Sequence, residues 1–262
     1  MPKVSVIMGV YNGEKTVRQA VDSILTQTFT DWEFVICDDA STDNTLSILN
    51  EYKEKYPDKF VILHNEKNLM LAGSLNRCLE ASSGEYIARM DDDDISLPDR
   101  FTREVSKLDE SDYDVVGSMV QFFNDEGLGE IISKKEEPTV YDLPKGNPFF
   151  HPTIMMRKSV YDALSGYNVS LRTKRMEDVD LWYRFFEKGY HGYNIQEVLL
   201  NYRVDDNAMK KRKLKYSLDA SKIVFDGVKR LKLPAKYYAY ALKPIVSWMT
   251  PEKLKTKYRN KK

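Results

Sequence analysis

The stretch Gly84–Phe101, GEYIARMDDDDISLPDRF, decides the fold because it joins a buried strand to a charged loop and a helix. Gly84–Met90 predicts a β-strand, and four consecutive carboxylates, Asp91–Asp94, follow it directly. Pro98 then stands at a position that favours the first turn of a helix. Like charges this close together repel one another. A folded chain therefore keeps them together only if a cation or a chemical function compensates for the repulsion.

Further strands and helices alternate on the N-terminal side of this stretch. Apolar, β-branched runs predict strands at Val4–Val10, Trp32–Asp39 and residues 60–65, and residues at helical spacing lie between them. This alternation predicts β-α-β units and a parallel sheet. In such sheets ligands bind outside the carboxyl ends of the strands. We therefore expect Tyr11, Asp39 and the acidic run to meet at one edge of the sheet.

The second half has a more mixed pattern. Asp114–Phe123 predicts a strand with a hairpin partner, Phe149–Arg157 predicts another strand, and Glu177–Gly189 predicts a helix. We expect residues 1–205 to form one α/β domain, with halves at 1–110 and 111–205. Residues 206–262 are predicted to be a helical tail.

The charge is divided unevenly, although the formal net charge is zero. Residues 206–262 hold 17 Lys/Arg and four Asp/Glu, whereas residues 1–205 hold 23 and 36. The basic tail includes the aromatic stretch Tyr237–Met249, and this combination is typical of a segment that lies at an anionic membrane interface. The alternative is a solvated helical tail packed on the domain. An acidic body argues against nucleic acid as a partner.

Cysteines and hydropathy indicate the compartment. Cys37 and Cys78 lie in apolar segments without zinc spacing, which predicts buried free thiols. The first ten residues lack the pattern of a secretory signal, and no segment has the ~20 apolar residues needed to span a bilayer. We therefore expect a cytoplasmic protein that lies on the inner face of the cell membrane if the tail binds lipid.

Carboxylates at the strand ends and at the start of the helix Glu177–Gly189 are the candidates for chemistry. The acidic run suits Mg²⁺ or Mn²⁺, which prefer oxygen ligands, and a diphosphate can complete the coordination. The alternative is a solvated loop that caps the following helix through Asp94 or Ser96. Asp39 is placed either to accept hydrogen bonds from a ribose or a base or to stabilise the N-terminus of the following helix by its charge. From spacing alone, Asp178 is either a helix-dipole partner or a general base.

Several segments together resemble the family 2 glycosyltransferases with a GT-A fold, in particular their bacterial polysaccharide and capsule branch. They are VSVIMGVYNGEKTVRQAVDSILTQTF, DDASTDNT, NLMLAGSLNRCLEASSGEYIARMDDDDISLPDRF, HPTIMMRKSV followed by GYN, and EDVDLWYRF. The resemblance covers Val4 to about Val204 and leaves the basic tail outside. It implies a Rossmann-like, mostly parallel central sheet flanked by helices, with a small mixed sheet on the acceptor side.

The resemblance also implies an activity and a nucleotide-binding half at residues 1–110. Members of the family transfer a sugar from a nucleotide diphosphate donor to an acceptor hydroxyl, with inversion at the anomeric carbon. Tyr11 would flank the nucleobase near Asn12 and Glu14. Asp39 would hydrogen-bond the base, most typically uracil.

Metal binding and catalysis are implied for a second group of residues. Asp91 and Asp92 would lie near the ribose and the sugar, and Asp93 would bind Mn²⁺ or Mg²⁺ at the diphosphate. His151 would lie close to the diphosphate or the metal. Asp178, in the acceptor-binding half at 111–205, would be the catalytic base.

Two departures from the family pattern and two rival functions remain. Asp92 stands at a position where members of the family commonly have a small residue, and Met70 in NLMLAG lies in a segment where they often have glycine. A sugar-phosphate nucleotidyltransferase would need a glycine-rich phosphate loop, which GVYNGEK matches poorly. A non-catalytic nucleotide-sugar-binding protein is opposed by the intact carboxylates. We expect a saccharide acceptor, lipid-linked if the tail binds membrane, in cell-surface polysaccharide assembly.

Overall fold

The computed structural model describes residues 1–170, 172–204 and 214–250. Its first half alternates strands and helices as predicted. The elements are β1 (Val4–Val10), α1 (Val17–Leu25), β2 (Trp32–Asp38), α2 (Thr45–Lys55), β3 (Phe60–His64), α3 (Met70–Ala81), β4 (Tyr86–Arg89), β5 (Ile95–Ser96) and α4 (Arg100–Asp109). Strand β1 pairs in parallel with β2 and β4, and β3 extends the sheet beyond β2. The carboxyl ends of these four strands therefore face the same edge.

The second half contributes longer and mixed strands. Its elements are β6 (Val115–Asn124), β7 (Gly127–Ile132), β8 (Met155–Arg157), α5 (Lys158–Leu164), α6 (Glu177–Glu187) and β9 (Gly192–Arg203). Strands β6 and β7 form the predicted hairpin, and β6 pairs in parallel with β9. Strand β5 pairs antiparallel with the end of β9 and so brings the segment after the acidic run next to Leu200 and Asn201.

One sheet of nine strands joins both halves, in the order β3-β2-β1-β4-β8-β6-β9-β5 with β7 beside β6. The predicted α/β fold is confirmed. The mixed strands are continuous with the parallel part because β8 pairs antiparallel with both β4 and β6. The small mixed sheet expected on the acceptor side is therefore not separate: these strands extend the central sheet.

Apolar side chains cover both faces of the sheet. Helices α1, α2 and α4 bury residues such as Ile24, Leu49 and Phe101 on one face. Helices α3, α5 and α6 bury residues such as Leu75 and Trp182 on the other. Full burial of each large apolar side chain contributes roughly 1.5–3 kcal/mol, which fixes the strand ends that carry the polar residues.

The described part of the tail is helical, as predicted. It contains α7 (Leu214–Arg230), a 3₁₀ helix at Ala235–Leu242 and α8 (Lys243–Met249). Helix α7 packs closely on α6, because a Cβ at Gly227 would clash with the Tyr183 ring. The 3₁₀ helix contacts the domain through Tyr237, whose ring centroid lies 5.7 Å from that of Tyr141. Within the described ranges, none of the helices combines the length and hydropathy that a membrane span requires.

Three local predictions differ from the structure. The strand predicted at Phe149–Arg157 is shorter, because His151–Thr153 forms a 3₁₀ turn around Pro152 and only Met155–Arg157 is extended. Helix α4 begins after Asp99, so neither Asp94 nor Ser96 caps it. The prediction of buried free thiols is confirmed for both cysteines.

Candidate active site

The turn after β1 is tied to the loop after β2. Asn12 adopts a left-handed backbone conformation (φ 56°), and its Oδ1 accepts a 2.8 Å hydrogen bond from the Thr42 backbone N–H. Glu14 Oε2 accepts bonds from the backbone N–H and the side-chain amide of Asn44, at 3.1 and 3.0 Å. The Tyr11 side chain remains exposed at the sheet edge. Asn12 and Glu14 thus shape the turn that presents Tyr11, and their predicted contacts with a nucleotide stay predictions.

Asp39 lies one residue beyond β2 and is 3% exposed. Its Oδ1 accepts hydrogen bonds from Asn65 Nδ2 and from the Leu69 backbone N–H, both at 2.7 Å. Arg77 in turn donates to Asn65 Oδ1. These contacts fix the carboxylate at the strand edge where the sequence placed it, next to the segment that begins α3.

A buried arginine lies beside the acidic run. Arg89, the last residue of β4, is 2% exposed and forms an ion pair with Asp91. Arg100, itself buried in α4, donates from Nη2 to the Arg89 carbonyl at 2.9 Å. The protein thus supplies a fixed positive charge next to the four carboxylates, which offsets part of their mutual repulsion.

Arg203 at the end of β9 holds the other side of the run. Its backbone N–H donates to Asp94 Oδ1 at 2.8 Å, and its Nε donates to the Asp93 carbonyl at 3.0 Å. The guanidinium also pairs with Asp125 at 3.1 Å. The geometry of the run therefore depends on a strand more than 100 residues away in sequence.

Three carboxylates of the run cluster closely enough to share a divalent cation. Asp91, Asp93 and Asp94 each offer an oxygen, and these oxygens lie within 4.8 Å of one another. Asp94 Oδ2 is buried and has no hydrogen-bond partner among the described residues. Hard cations such as Mn²⁺ and Mg²⁺ prefer such ligands, so the residues present fit the predicted cofactor.

Asp92, the surplus carboxylate, points elsewhere. Its Oδ2 lies so close to Gly13 that a Cβ there would clash with it, which places the side chain against the turn after β1. Burial, followed by the charges of Asp93 and Asp91, raises the pKa of Asp92 to about 7. Burial and the charge of Asp91 raise the pKa of Asp93 to about 6. Both carboxylates thus resist ionisation in the absence of a nearby cation.

His151 is not among the clustered ligands. Its Nε2 lies 2.8 Å from the Tyr167 hydroxyl, which lies 3.0 Å from the Tyr161 hydroxyl. Burial, followed by the charge of Arg89, lowers the pKa of His151, so the imidazole is neutral at physiological pH. Its predicted role at the metal or the diphosphate stays a prediction.

Asp178 lies in the first turn of α6, as its position in the sequence predicted. Its Oδ1 accepts a 2.8 Å bond from the Val179 backbone N–H, and its Oδ2 accepts a bond from the Asn147 side-chain amide. Burial raises the pKa of Asp178, and burial together with the charge of Asp178 raises the pKa of the adjacent Glu177 to about 7. A positioned carboxylate whose pKa is raised towards neutrality is suited to accept a proton.

A cavity of about 490 Å³ extends from Asp91, the first residue of the acidic run, to this carboxylate. Its walls include Arg89, Asp91, His151, Glu177 and Asp178. The structure therefore brings together residues from the end of β4, the 3₁₀ turn and the start of α6. Tyr11 and Asp39 do not line this cavity; they follow β1 and β2, whose carboxyl ends lie at the same sheet edge as that of β4.

Four supporting residues were missed from the sequence: Asn65, Arg89, Asn147 and Arg203. Arg89 alone left a visible signal, because it is a charged residue inside an otherwise apolar strand immediately before the carboxylates. The other three act through contacts that depend on tertiary structure, and their local sequence carries no pattern that predicts them.

The family model of glycosyl transferase family 2 matches residues 5–165. EpsE of Bacillus subtilis (strain 168), which is named a glycosyltransferase, is 45% identical over 264 residues, covering 100% of this chain and 94% of its own length. The O-antigen biosynthesis glycosyltransferase WbnJ of Escherichia coli is 32% identical over 220 residues, covering 81% of this chain and 84% of its own.

Solved structures share the fold at lower identity. Residues 1–349 of S. aureus TarS in complex with UDP superpose with a TM-score of 0.69 at 20% identity, over 94% of this chain and 70% of that one. The mannosyltransferase PcManGT from Pyrobaculum calidifontis, in complex with GDP-Man and Mn²⁺, gives a TM-score of 0.65 at 15% identity, over 94% and 74% of the two chains.

Proposed function

The chain belongs to glycosyl transferase family 2 and is a glycosyltransferase, and we propose that it moves a sugar from a UDP-sugar to a saccharide hydroxyl with inversion. The observation that carries the proposal is a cavity whose walls include both Asp91, the first residue of the acidic run, and Asp178. A donor diphosphate at one end and an acceptor hydroxyl at the other would place the anomeric carbon between them.

Asp178 is the proposed general base. The hydrogen bonds from Val179 and Asn147 fix the orientation of its carboxylate. It would take the proton from the acceptor hydroxyl as the oxygen attacks the anomeric carbon from the side opposite the leaving diphosphate. Attack from that side inverts the configuration, and the transition state resembles the oxocarbenium ion of glycoside hydrolysis.

Asp91, Asp93 and Asp94 would hold Mn²⁺ or Mg²⁺, and Asp93 is the ligand that the family resemblance implies. A divalent ion bound there supplies positive charge that stabilises the departing nucleoside diphosphate. The complex of PcManGT with GDP-Man and Mn²⁺ supports this choice of cofactor. Arg89 keeps Asp91 oriented towards the site through their ion pair.

The nucleoside would lie along the ends of β1 and β2. Tyr11 offers an exposed ring for the base, and Asp39 is fixed at the neighbouring strand end, where it can accept a hydrogen bond. Asp92 lies against the turn between them, close to where a ribose would sit. The UDP complex of TarS supports uridine as the nucleoside.

The tail is proposed to contact anionic lipid on the inner face of the cytoplasmic membrane. Its 3₁₀ helix and α8 expose the apolar residues Leu242, Val246, Trp248 and Met249. Each nearby Lys or Arg adds about 1 kcal/mol of attraction to an anionic surface. A tail at the membrane would suit a lipid-linked acceptor, and the O-antigen role in the name of WbnJ supports a place in polysaccharide assembly.

One incubation tests the proposal. The protein is mixed with Mn²⁺ and UDP-, GDP- or dTDP-sugars, and the released phosphates are identified. Slow release of UDP in water, accelerated by saccharide acceptors, is the expected result. Pyrophosphate release would indicate a nucleotidyltransferase, and binding without release would indicate a non-catalytic protein.

A further inference from the structure

Two segments singled out in the sequence, HPTIMMRKSV and the GYN that follows it, meet behind the wall of the cavity. His151 lines the cavity that contains Asp178, and its Nε2 lies 2.8 Å from the Tyr167 hydroxyl. That hydroxyl lies 3.0 Å from the hydroxyl of Tyr161. Both tyrosines are buried. A chain of three polar groups therefore runs from the cavity into the interior of the protein.

Helix α3 fixes Tyr167 from its other side. Asn76 Oδ1 accepts a 2.7 Å hydrogen bond from the Tyr167 backbone N–H, and Asn76 Nδ2 donates to the Tyr167 carbonyl at 2.8 Å. Gly166 permits this close approach, because a Cβ there would lie 2.5 Å from Asn76 Oδ1. The rings of His151 and Tyr167 pack edge to face, with centroids 5.6 Å apart. Tyr167 thus presents its hydroxyl to His151 in a defined orientation.

The positions of the protons follow from the interior end of this chain. Within the described residues, the Tyr161 hydroxyl has Tyr167 as its one partner. A buried O–H that donates to nothing is unfavourable, so Tyr161 donates to the Tyr167 oxygen. Tyr167 then donates to His151 Nε2, which accepts. The imidazole is neutral, because burial and then the charge of Arg89 lower its pKa, and its single proton therefore lies on Nδ1.

The Nδ1 atom of His151 is open to the cavity. It has no hydrogen-bond partner among the described residues, and it is not one of their fully buried atoms that lack a partner. An N–H at this position can donate to a ligand but has no lone pair for a metal ion, and Tyr167 occupies the lone pair of Nε2. The clustered carboxylates of Asp91, Asp93 and Asp94 therefore remain the proposed ligands of the cation.

The cavity wall indicates which ligand group needs this donor. Asp91, Glu177 and Asp178 all line the cavity, and their charges repel an anionic ligand. A nucleotide diphosphate beside Asp91 therefore depends on hydrogen-bond donors from the same wall. A bond from an N–H to a charged oxygen is stronger than one to a neutral oxygen. A neutral imidazole supplies such a bond without exchanging a proton with the phosphate.

We propose that Tyr167, oriented by Tyr161, is a positioning residue that holds His151 as the Nδ1–H tautomer. His151 is thereby an uncharged hydrogen-bond donor to the diphosphate of the nucleotide-sugar and not a metal ligand. The contact with the diphosphate rests on the proposed function. The tautomer is a property of the protein without ligand, so the two parts are measured separately.

Long-range ¹H–¹⁵N NMR spectra of the full chain with ¹⁵N-labelled histidine test the tautomer. The chain has three histidines, and the signals that disappear in His151→Asn belong to His151. The unmodified protein should show a protonated Nδ1 and an unprotonated Nε2. Tyr167→Phe removes the bond that selects this form and should give a mixture of both tautomers. Tyr183→Phe, which removes a buried hydroxyl without a partner, is the matched control and should leave the spectrum of His151 unchanged.

Ligand binding tests the diphosphate contact. UDP with Mg²⁺ should shift the Nδ1 signal of His151, and uridine should not. The amide nitrogen of asparagine overlaps Nδ1 of histidine, whereas that of glutamine overlaps Nε2. Calorimetry should therefore show UDP affinity within about threefold of the unmodified protein for His151→Asn, and a loss of about tenfold or more for His151→Gln.

Several results would overturn the inference. They are a protonated Nε2 in the unmodified protein, an unchanged tautomer in Tyr167→Phe, and equal UDP affinities of His151→Asn and His151→Gln. Loss of the Nδ1 proton when UDP and Mg²⁺ are added would make His151 a metal ligand. An equal shift with uridine would assign the contact to the nucleoside.

Two further readouts separate the possible failures. If Tyr167→Phe does not fold, as judged by circular dichroism, the tautomer in the unmodified protein and the comparison of His151→Asn with His151→Gln decide the question. Failure of UDP to bind the unmodified protein would count against the proposed function and the diphosphate contact, whereas the tautomer of His151 is decided without UDP.

Discussion

Replacing Asp178 by asparagine should abolish most of the transfer activity without weakening the fold. The amide has the same shape as the carboxylate and can still accept the 2.8 Å hydrogen bond from the Val179 N–H. Rotation of the Asn147 amide can restore the second bond. Loss of a positioned general base lowers rates by about 10²–10⁴-fold, which is about 3–5 kcal/mol in the activation barrier.

The effect on stability has a defined sign. Burial raises the pKa of Asp178 above its value in the unfolded chain, so the folded protein binds the proton more tightly. Stability from this group is therefore present at low pH and is lost as the pH rises through the folded pKa. The neutral amide lacks this loss, so Asp178→Asn should have an unchanged or higher unfolding free energy at pH 8.

Steady-state UDP release, UDP binding by calorimetry and urea unfolding measure the three quantities. Glu177→Gln tests the neighbouring carboxylate and should keep turnover within about tenfold, below the range for loss of a base. Asp162→Asn, on the exposed side of α5, controls for charge alone. If Asp178→Asn keeps normal turnover while Glu177→Gln loses it, the base is Glu177 and the assignment from the α6 geometry is wrong.

Four further outcomes are expected. Arg89→Met removes the buried partner of Asp91 and should cost about 3–5 kcal/mol of unfolding free energy at pH 7, measured with urea; an unchanged value would refute its role in offsetting the acidic run. Burial raises the pKa of Glu104 from 4.5 to about 7. As the pH rises between these values, the unfolding free energy of the unmodified protein should fall by at most about 3 kcal/mol relative to that of Glu104→Gln. If the unfolding free energies of the two proteins change in parallel with pH, the prediction is wrong. Met70 has a positive φ of 65°, which glycine adopts more readily than alanine. The unfolding free energy of Met70→Gly, measured with urea, should therefore exceed that of Met70→Ala by about 1 kcal/mol. Equal unfolding free energies would show that the turn is unstrained. Trp248→Ala should reduce sedimentation with vesicles that contain phosphatidylglycerol, relative to phosphatidylcholine alone, and unchanged sedimentation would remove Trp248 from the proposed lipid contact.

Local sequence patterns predicted the parallel half of the fold because each of its strands and helices can be recognised from a short stretch of sequence. Each strand there is a short apolar run, each helix has an apolar face, and strand ends in β-α-β units face one edge. Asp39 and Asp91 could therefore be placed at the same edge of the sheet without a structure. Asp178 needed the family resemblance, since its spacing alone is equally typical of a helix N-terminus.

The remaining features depend on pairing between distant segments. The antiparallel pairing of β8 with β4 joins residues about 70 positions apart, and no turn between them specifies it. The strand predicted through His151 was wrong because Pro152 cannot donate to a ladder, so the chain turns before β8 begins. Arg203 reaches the acidic run only because β5 pairs with β9.

The four carboxylates of the acidic run are not equivalent, although they are identical in sequence. Asp91 is paired with Arg89, Asp94 is held by the Arg203 N–H, and Asp93 has its carbonyl fixed and its carboxylate left to face the cluster. Asp92 turns away towards Gly13. A single added cation would be shared by three of these carboxylates, while Asp92 remains next to the turn that carries Tyr11. The neighbours of each carboxylate, and not its position in the run, therefore determine what it can bind.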